Sequence, residues 1–128
     1  MPEACLILLV EEDPTLREIT AFRLELLGHR IAALPSADAA LDWLGEQKPD
    51  LIAVGHVSDM PSFELLNRFS DDPRTSESPV LYLSPDSDLD AVQKAFNAGA
   101  DEYLLVPYDP LVLEDKVSGL AAAVHAKS

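Results

Sequence analysis

The sequence predicts a doubly wound α/β domain, in which a five-stranded parallel sheet carries five helices on its two faces. Three short apolar runs, residues 6–10, 51–54 and 80–83, are too brief for independent helices. They are also too continuously apolar for strands with one wet face, so they predict buried parallel strands. Helical patterns separate them, and strict strand-helix alternation requires right-handed crossovers. The 128 residues, with 48% hydrophobic content, favour a single domain over residues 1–128.

The first helix is predicted between Pro14 and Leu27, because capping signals stand at both ends. Asp13 is the expected N-cap, Pro14 occupies the first helical position, and Gly28 is the expected stop. The apolar residues of this helix are expected to face the core together: Leu16, Ile19, Phe22, Leu26 and Leu27.

The remaining elements follow from similar signals. A second strand covers residues 29–34, and a second helix opens at Pro35 and Ser36. A third helix covers residues 63–69 with Ser62 as its cap, a fourth covers 88–97, and a fifth strand covers 102–105. Asp109 and Pro110 begin the last helix. The run 70–78 carries no apolar residue, which predicts a solvated loop.

The charge of the chain limits its partners. The formal net charge of −14 repels phosphate backbones and anionic lipids, so neither nucleic acid nor a membrane surface is an expected direct partner. No apolar stretch approaches the roughly 20 residues of a membrane span, and no signal peptide is evident. The single cysteine, Cys5, is expected to be buried and cannot form an internal disulfide. These features predict a cytoplasmic protein.

Residues at the carboxyl ends of the strands are expected to meet in one crevice, where ligands of such sheets bind. Glu11, Glu12 and Asp13 follow the first strand, and paired carboxylates are suitable ligands for magnesium. The alternative is that Asp13 only caps the first helix and the glutamates are solvated.

Six segments spread along the whole chain carry a common pattern: residues 8–17, 49–54, 63–66, 79–84, 98–104 and 107–108. Together they resemble the receiver domain of bacterial response regulators. The segment Ala98–Leu104 followed by Pro107 and Tyr108 is the most specific of them. The resemblance implies a flavodoxin-like strand order, 2-1-3-4-5, and a role in two-component signalling.

The chain departs from that family at two positions required for phosphoryl transfer. In the family, an aspartate at the end of the third strand accepts the phosphoryl group, and a lysine precedes the proline that matches Pro107. Here these positions hold Gly55 and Val106. A glycine has no carboxylate to form an acyl phosphate, and an isopropyl group supplies no charge. The resemblance therefore implies a degenerate phosphorylation site.

The metal-binding part of the family site is also altered. Glu11 and Glu12 stand where the family often has aspartates, and each extra methylene moves a carboxylate by about 1.5 Å. No cofactor is therefore expected, with a weak magnesium site at Glu11 and Glu12 as an alternative. The loop from Gly55 to Ser62 is one residue shorter than usual, which leaves its register open by one residue. His56 and Asp59 are alternative nucleophiles, and His56 is otherwise a rim residue beside the glutamates.

Ser84 and Tyr103 match the family's switch positions, which couple the phosphorylated site to the face made by helix four, strand five and helix five. The alternatives are that Ser84 only ends a strand and that Tyr103 is a half-buried aromatic with its hydroxyl in water. The peptide bond between Val106 and Pro107 is a candidate cis bond, as in the family.

The leading hypothesis is a non-enzymatic pseudo-receiver that signals without phosphorylation. It would bind another signalling protein, or a second copy of itself, through helix four, strand five and helix five. The alternative is a small-ligand or metal site in the remodelled crevice. The same features fit a receiver that belongs to a larger kinase or output protein.

Overall fold

A computed structural model describes residues 4–126, apart from the side chain at position 125; the ends of the predicted domain, residues 1–3 and 127–128, lie outside this range. The strands are β1 Leu6–Val10, β2 Arg30–Leu34, β3 Leu51–Val54, β4 Val80–Ser84 and β5 Glu102–Leu105. The helices are α1 Pro14–Leu26, α2 Ala37–Trp43, α3 Ser62–Asp71, α4 Leu89–Ala98 and α5 Pro110–Ala126. Within the described residues, no helix has both the length and the apolar character of a membrane span.

The strands form one parallel sheet in the order β2-β1-β3-β4-β5, which confirms the predicted fold class and strand order. The inner strand β1 pairs with β2 through Leu8 and Ala32, and with β3 through Leu8 and Ile52. Because side chains alternate along a strand, the sheet has a core layer on each face. One layer packs under α2, α3 and α4, and the other under α1 and α5.

The prediction of which α1 residues face the core is wrong in part. Ile19, Phe22 and Leu26 are 51%, 61% and 66% exposed, whereas Leu16 and Leu27 are half-buried. The helix instead packs on the sheet through a different set of residues, two of which are small. The buried residues of α1 are Thr20, Ala21 and Leu24.

Helix starts follow the predicted capping chemistry with one exception. Asp13 caps α1, because its carboxylate accepts a hydrogen bond from Thr15 N at 3.0 Å. The predicted cap at Ser62 is wrong: α3 begins at Ser62 itself, and Pro61 occupies the N-cap position without a side-chain hydrogen bond. A proline can precede a helix because its fixed φ suits the extended cap conformation.

The run 70–78 is less solvated than predicted. Its first two residues belong to α3, and two of its hydroxyl residues, Thr75 and Ser78, are buried. Thr75 Oγ1 donates to Phe69 O at 2.6 Å, and Ser78 Oγ donates to Pro49 O at 2.7 Å. A hydroxyl can be buried at little cost when a main-chain carbonyl accepts its proton, so a polar run need not be a solvated one.

Candidate functional site

The carboxyl ends of the strands surround a shallow pocket of about 350 Å³. It combines the acidic loop after β1 with residues that follow β3 and β5, as the sequence predicted from strand topology. The lining residues are Glu11, Glu12, Asp13, Pro14, Leu16, His56, Leu83, Pro85 and Val106.

Glu11 fills the space beside Gly55. Its side chain is buried, with 5% of the residue exposed, so the alternative of a solvated glutamate does not hold at this position. Its carboxylate accepts hydrogen bonds from Asp13 N at 2.9 Å and from His56 N at 3.3 Å. A Cβ atom added to Gly55 would overlap Glu11 Oε1 and would lie 2.9 Å from its Cδ. Gly55 therefore leaves room for the carboxylate of Glu11, which lies in the loop after the neighbouring strand β1.

Glu12 joins the loops that follow β1 and β3. Its Oε1 atom accepts hydrogen bonds from the amide of Ser58, at 3.3 Å, and from the Ser58 hydroxyl. Glu12 N donates to His56 O at 2.9 Å, and Oε2 lies 3.9 Å from His56 Nε2. The His56 side chain is 70% exposed, which places it at the rim of the pocket.

Arg17 is a site residue that the sequence reasoning missed. Its guanidinium donates to the carbonyl oxygens of Glu11, at 2.9 Å, and of Glu12, at 3.2 Å. It thus binds main-chain oxygens of the loop whose acidic side chains suggested a metal. The signal that identifies it is an arginine in the first turns of the helix that follows the acidic loop. Among the side chains that the structure describes, no group of three or more His, Cys, Asp and Glu residues could hold a metal ion.

Asp59, the alternative nucleophile, is bound to the start of α2. Its carboxylate accepts hydrogen bonds from Ala37 N at 3.0 Å and from Asp38 N at 2.9 Å. These two bonds, that from Ala37 first, lower the pKa of the Asp59 carboxyl below its ordinary value of 3.8. Asp59 is not among the residues that line the pocket.

Val106 and Ser84 lie side by side at the ends of β5 and β4. Val106 is half-buried and packs against the core layer under α1 and α5, and its amide donates to Ser84 O at 3.0 Å. The Val106–Pro107 peptide bond is cis. The Ser84 hydroxyl is buried and accepts a hydrogen bond from Asp86 N at 3.2 Å. Ser84 therefore does more than end a strand, because it also holds the loop that follows.

Tyr103 reaches the same loop from β5. Its hydroxyl donates to Asp86 O at 2.6 Å, so the phenol is bound to the main chain of the β4–α4 loop. Its ring packs edge-on against Tyr82, with centroids 5.5 Å apart, and Tyr82 lies 6.2 Å from Phe63 of α3. Ser84 and Tyr103 thus both bind the backbone of Asp86, a connection that the sequence did not reveal.

Known proteins resemble this chain in sequence and in fold. The chain is 34% identical over 109 residues to an uncharacterized 14.6 kDa protein of Leptolyngbya boryana, covering 84% of this chain and 82% of that protein. It is 31% identical over 112 residues to the transcriptional regulatory protein AfsQ1 of Streptomyces coelicolor. That match covers 87% of this chain but only 48% of AfsQ1, so the chain spans about half the length of this regulator.

A solved structure agrees with this relationship. The signal receiver domain of a signal transduction histidine kinase from Syntrophus aciditrophicus superimposes with a TM-score of 0.86 at 29% identity. The match covers 94% of this chain and 92% of that chain. The family model of the response regulator receiver domain matches residues 7–118. The chain therefore belongs to the response regulator receiver domain family.

Proposed function

We propose that the chain is a non-enzymatic signalling module of the receiver type that acts without phosphorylation. The observation that carries the proposal is the pairing of Glu11 with Gly55. A buried carboxylate takes the space that any side chain at position 55 would need. The same carboxylate accepts hydrogen bonds from the amides of Asp13 and His56.

The remaining groups of the pocket support the same proposal. Phosphoryl transfer requires a nucleophile together with positive charge that neutralises the transferring group. Gly55 supplies no nucleophile, and Val106 supplies no charge. The guanidinium of Arg17 is engaged with the carbonyl oxygens of the loop after β1. Because Gly55 and Val106 replace the family's aspartate and lysine together, the net charge of the crevice is unchanged and no unpaired lysine is left beside apolar side chains.

The proposed binding surface is the α4–β5–α5 face, which we define by Leu105, Val112 and the ion pair between Lys116 and Glu102. Leu105 is 46% exposed on the edge strand, and Val112 is 41% exposed one helical turn before Lys116. Lys116 Nζ lies 2.7 Å from Glu102 Oε1. Exposed apolar side chains beside a polar rim are typical of protein interfaces. The net charge of −14 favours a partner with a basic or mixed surface.

Tyr103 and Ser84 connect the pocket to this face in the proposal. Both bind the backbone of Asp86, so a shift of the β4–α4 loop would change contacts on β4 and β5 together. Without a phosphoryl group, a bias between two conformers must come from a partner that binds one of them more tightly. The binding partner therefore takes the place that phosphate has in other receivers.

Affinity capture from the native host tests the docking surface. The immobilised wild-type chain is compared with Leu105→Asp and with the control Asn67→Asp, which introduces the same acidic residue at an exposed position of α3. We expect Leu105→Asp to lose the captured partner, Asn67→Asp to retain it, and acetyl phosphate with magnesium to leave capture unchanged. Capture that depends on acetyl phosphate, or that only pocket substitutions abolish, would show that the proposal is wrong.

A second candidate function rests on the pocket itself. Its volume of about 350 Å³ lies at the lower end of the range for small-molecule sites, about 300–1,000 Å³, and it joins acidic and apolar side chains. Thermal-shift measurements with nucleotides and divalent metals separate the two candidates. A ligand-dependent rise in melting temperature, lost in Glu12→Gln, would favour ligand binding.

A further inference from the structure

Helix α1 carries an exposed apolar stripe that the proposed docking face does not use. Ile19, Phe22 and Leu26 are each more than half exposed, while the opposite side of the helix packs on the sheet. Single exposed apolar residues are common, but a row of three large ones on one helix is characteristic of an interaction surface. This stripe differs from the α4–β5–α5 face because its residues belong to α1 and to none of those three elements.

The spacing of the stripe matches the seam of a two-stranded helix pair. Thr15, Ile19, Phe22 and Leu26 are separated by four, three and four residues, as are the a and d positions of a heptad. Glu18 then occupies the g position and Arg23 the following e position. In a parallel pair, a g residue faces the e residue five positions later on the other helix. Glu18 and Arg23 have opposite charges, so a parallel pair of identical helices would form this contact twice.

The charges also oppose the antiparallel arrangement. In an antiparallel pair, g positions face g positions, which would place Glu18 beside the other chain's second g residue, Glu25. Two carboxylates in this position repel each other. Arg23 is available for the parallel contact, because its present ion pair with Glu114 is long, at 3.8 Å, and its side chain is 42% exposed.

We propose that the occupant of this stripe is a second copy of the chain, packed through α1 in parallel about a two-fold axis. The helix has 13 residues and is about 20 Å long, so α1 alone buries less than a standard stable interface. The dimer is therefore weak and forms at high protein concentration. Because the α4–β5–α5 face stays open, the dimer presents two docking faces to a divalent partner and increases its apparent affinity.

Sedimentation equilibrium of the full chain over a range of concentrations tests the dimer. We expect reversible dimerisation, a dissociation constant at least about tenfold higher in Phe22→Asp, and an unchanged constant in the matched control Leu105→Asp. Because each chain carries a net charge of −14, dimerisation tightens as salt is raised, whereas binding of a basic partner would weaken. A wild-type chain that stays monomeric, or a Phe22→Asp dimer of unchanged affinity, would overturn the proposal.

Charge reversal and cross-linking test the orientation. We expect Glu18→Arg and Arg23→Glu to weaken the dimer separately and the double variant to restore it, with thermal unfolding as the check on folding. Thr15→Cys, at an exposed seam position near one end of α1, should form an interchain disulfide on mild oxidation, since Cys5 is buried. Failure of the double variant to recover affinity together with no Thr15→Cys cross-link would refute the parallel pair.

Discussion

Replacing Gly55 by alanine tests whether the Glu11 carboxylate occupies the space beside the glycine. The added Cβ would overlap Glu11 Oε1, and it would lie 2.9 Å from Cδ, closer than the roughly 3.5 Å of normal carbon contacts. The carboxylate must rotate out of its site. It then gives up the hydrogen bonds from Asp13 N, at 2.9 Å, and from His56 N, at 3.3 Å.

The magnitude follows from these two bonds. A hydrogen bond to a charged group contributes about 1.5–3 kcal/mol, and hydration of the displaced carboxylate recovers part of that loss. We therefore expect Gly55→Ala to lower the free energy of unfolding by about 2 kcal/mol. Where Glu11 is already alanine, the obstruction is gone. Gly55 does not have a positive φ, so the same change should there be neutral or stabilise by up to about 1 kcal/mol.

Urea denaturation of the wild type, Glu11→Ala, Gly55→Ala and the double variant measures this difference as a double-mutant cycle. We expect a coupling energy of about 2–3 kcal/mol between the two positions. If Gly55→Ala lowers the free energy of unfolding equally in both backgrounds, within about 0.5 kcal/mol, the Glu11 carboxylate does not occupy the space beside Gly55.

Three further predictions concern single contacts. Asp59→Asn should lower the melting temperature in neutral buffer, because it weakens the hydrogen bonds from the α2 amides. Since folding lowers the pKa of Asp59, the stabilisation by its carboxylate is present above pH 3.8 and is lost as the pH falls below that value. The melting temperatures of the wild type and the variant should therefore converge in acid. The pKa of Asp72 is lowered to about 2, chiefly by the side-chain hydrogen bond from Arg74. In Arg74→Ala the pKa of Asp72, measured by NMR titration, should rise toward 3.8, and an unchanged pKa would exclude that hydrogen bond as the cause. Tyr103→Phe should lower the free energy of unfolding in urea by about 0.5–1.5 kcal/mol and speed amide exchange in the β4–α4 loop, because the hydrogen bond to Asp86 O is lost. Unaltered exchange would contradict the proposal that Tyr103 holds this loop.

The sequence predicted the fold well because its strongest signals are local. Continuous apolar runs specified the central strands, and Asp13 with Pro14 specified the start of α1. The face of α1 was harder, because Ile19, Phe22 and Leu26 have the spacing of a buried stripe and no local signal distinguishes a sheet from another partner. The spacing of apolar residues predicts that one face of a helix is buried, but it does not indicate whether the sheet or another protein covers that face.

The site was predictable in membership but not in geometry. Strand topology alone placed Glu11, His56 and Val106 around one pocket. The position of the Glu11 carboxylate depends on side-chain torsions and on two amides of separate loops, which no sequence pattern encodes. The double contact of Ser84 and Tyr103 with Asp86 is likewise a tertiary feature.

The central proposal is that this receiver signals without phosphorylation, and intact-mass spectrometry tests it most directly. The wild-type chain is incubated with acetyl phosphate and magnesium, beside a receiver that accepts phosphate as the positive control. We expect an unchanged mass for this chain while the control gains one phosphoryl group. A gain of one phosphoryl group by the wild-type chain would show that it is phosphorylated after all, and His56→Asn and Asp59→Asn variants would then show whether either residue is the acceptor.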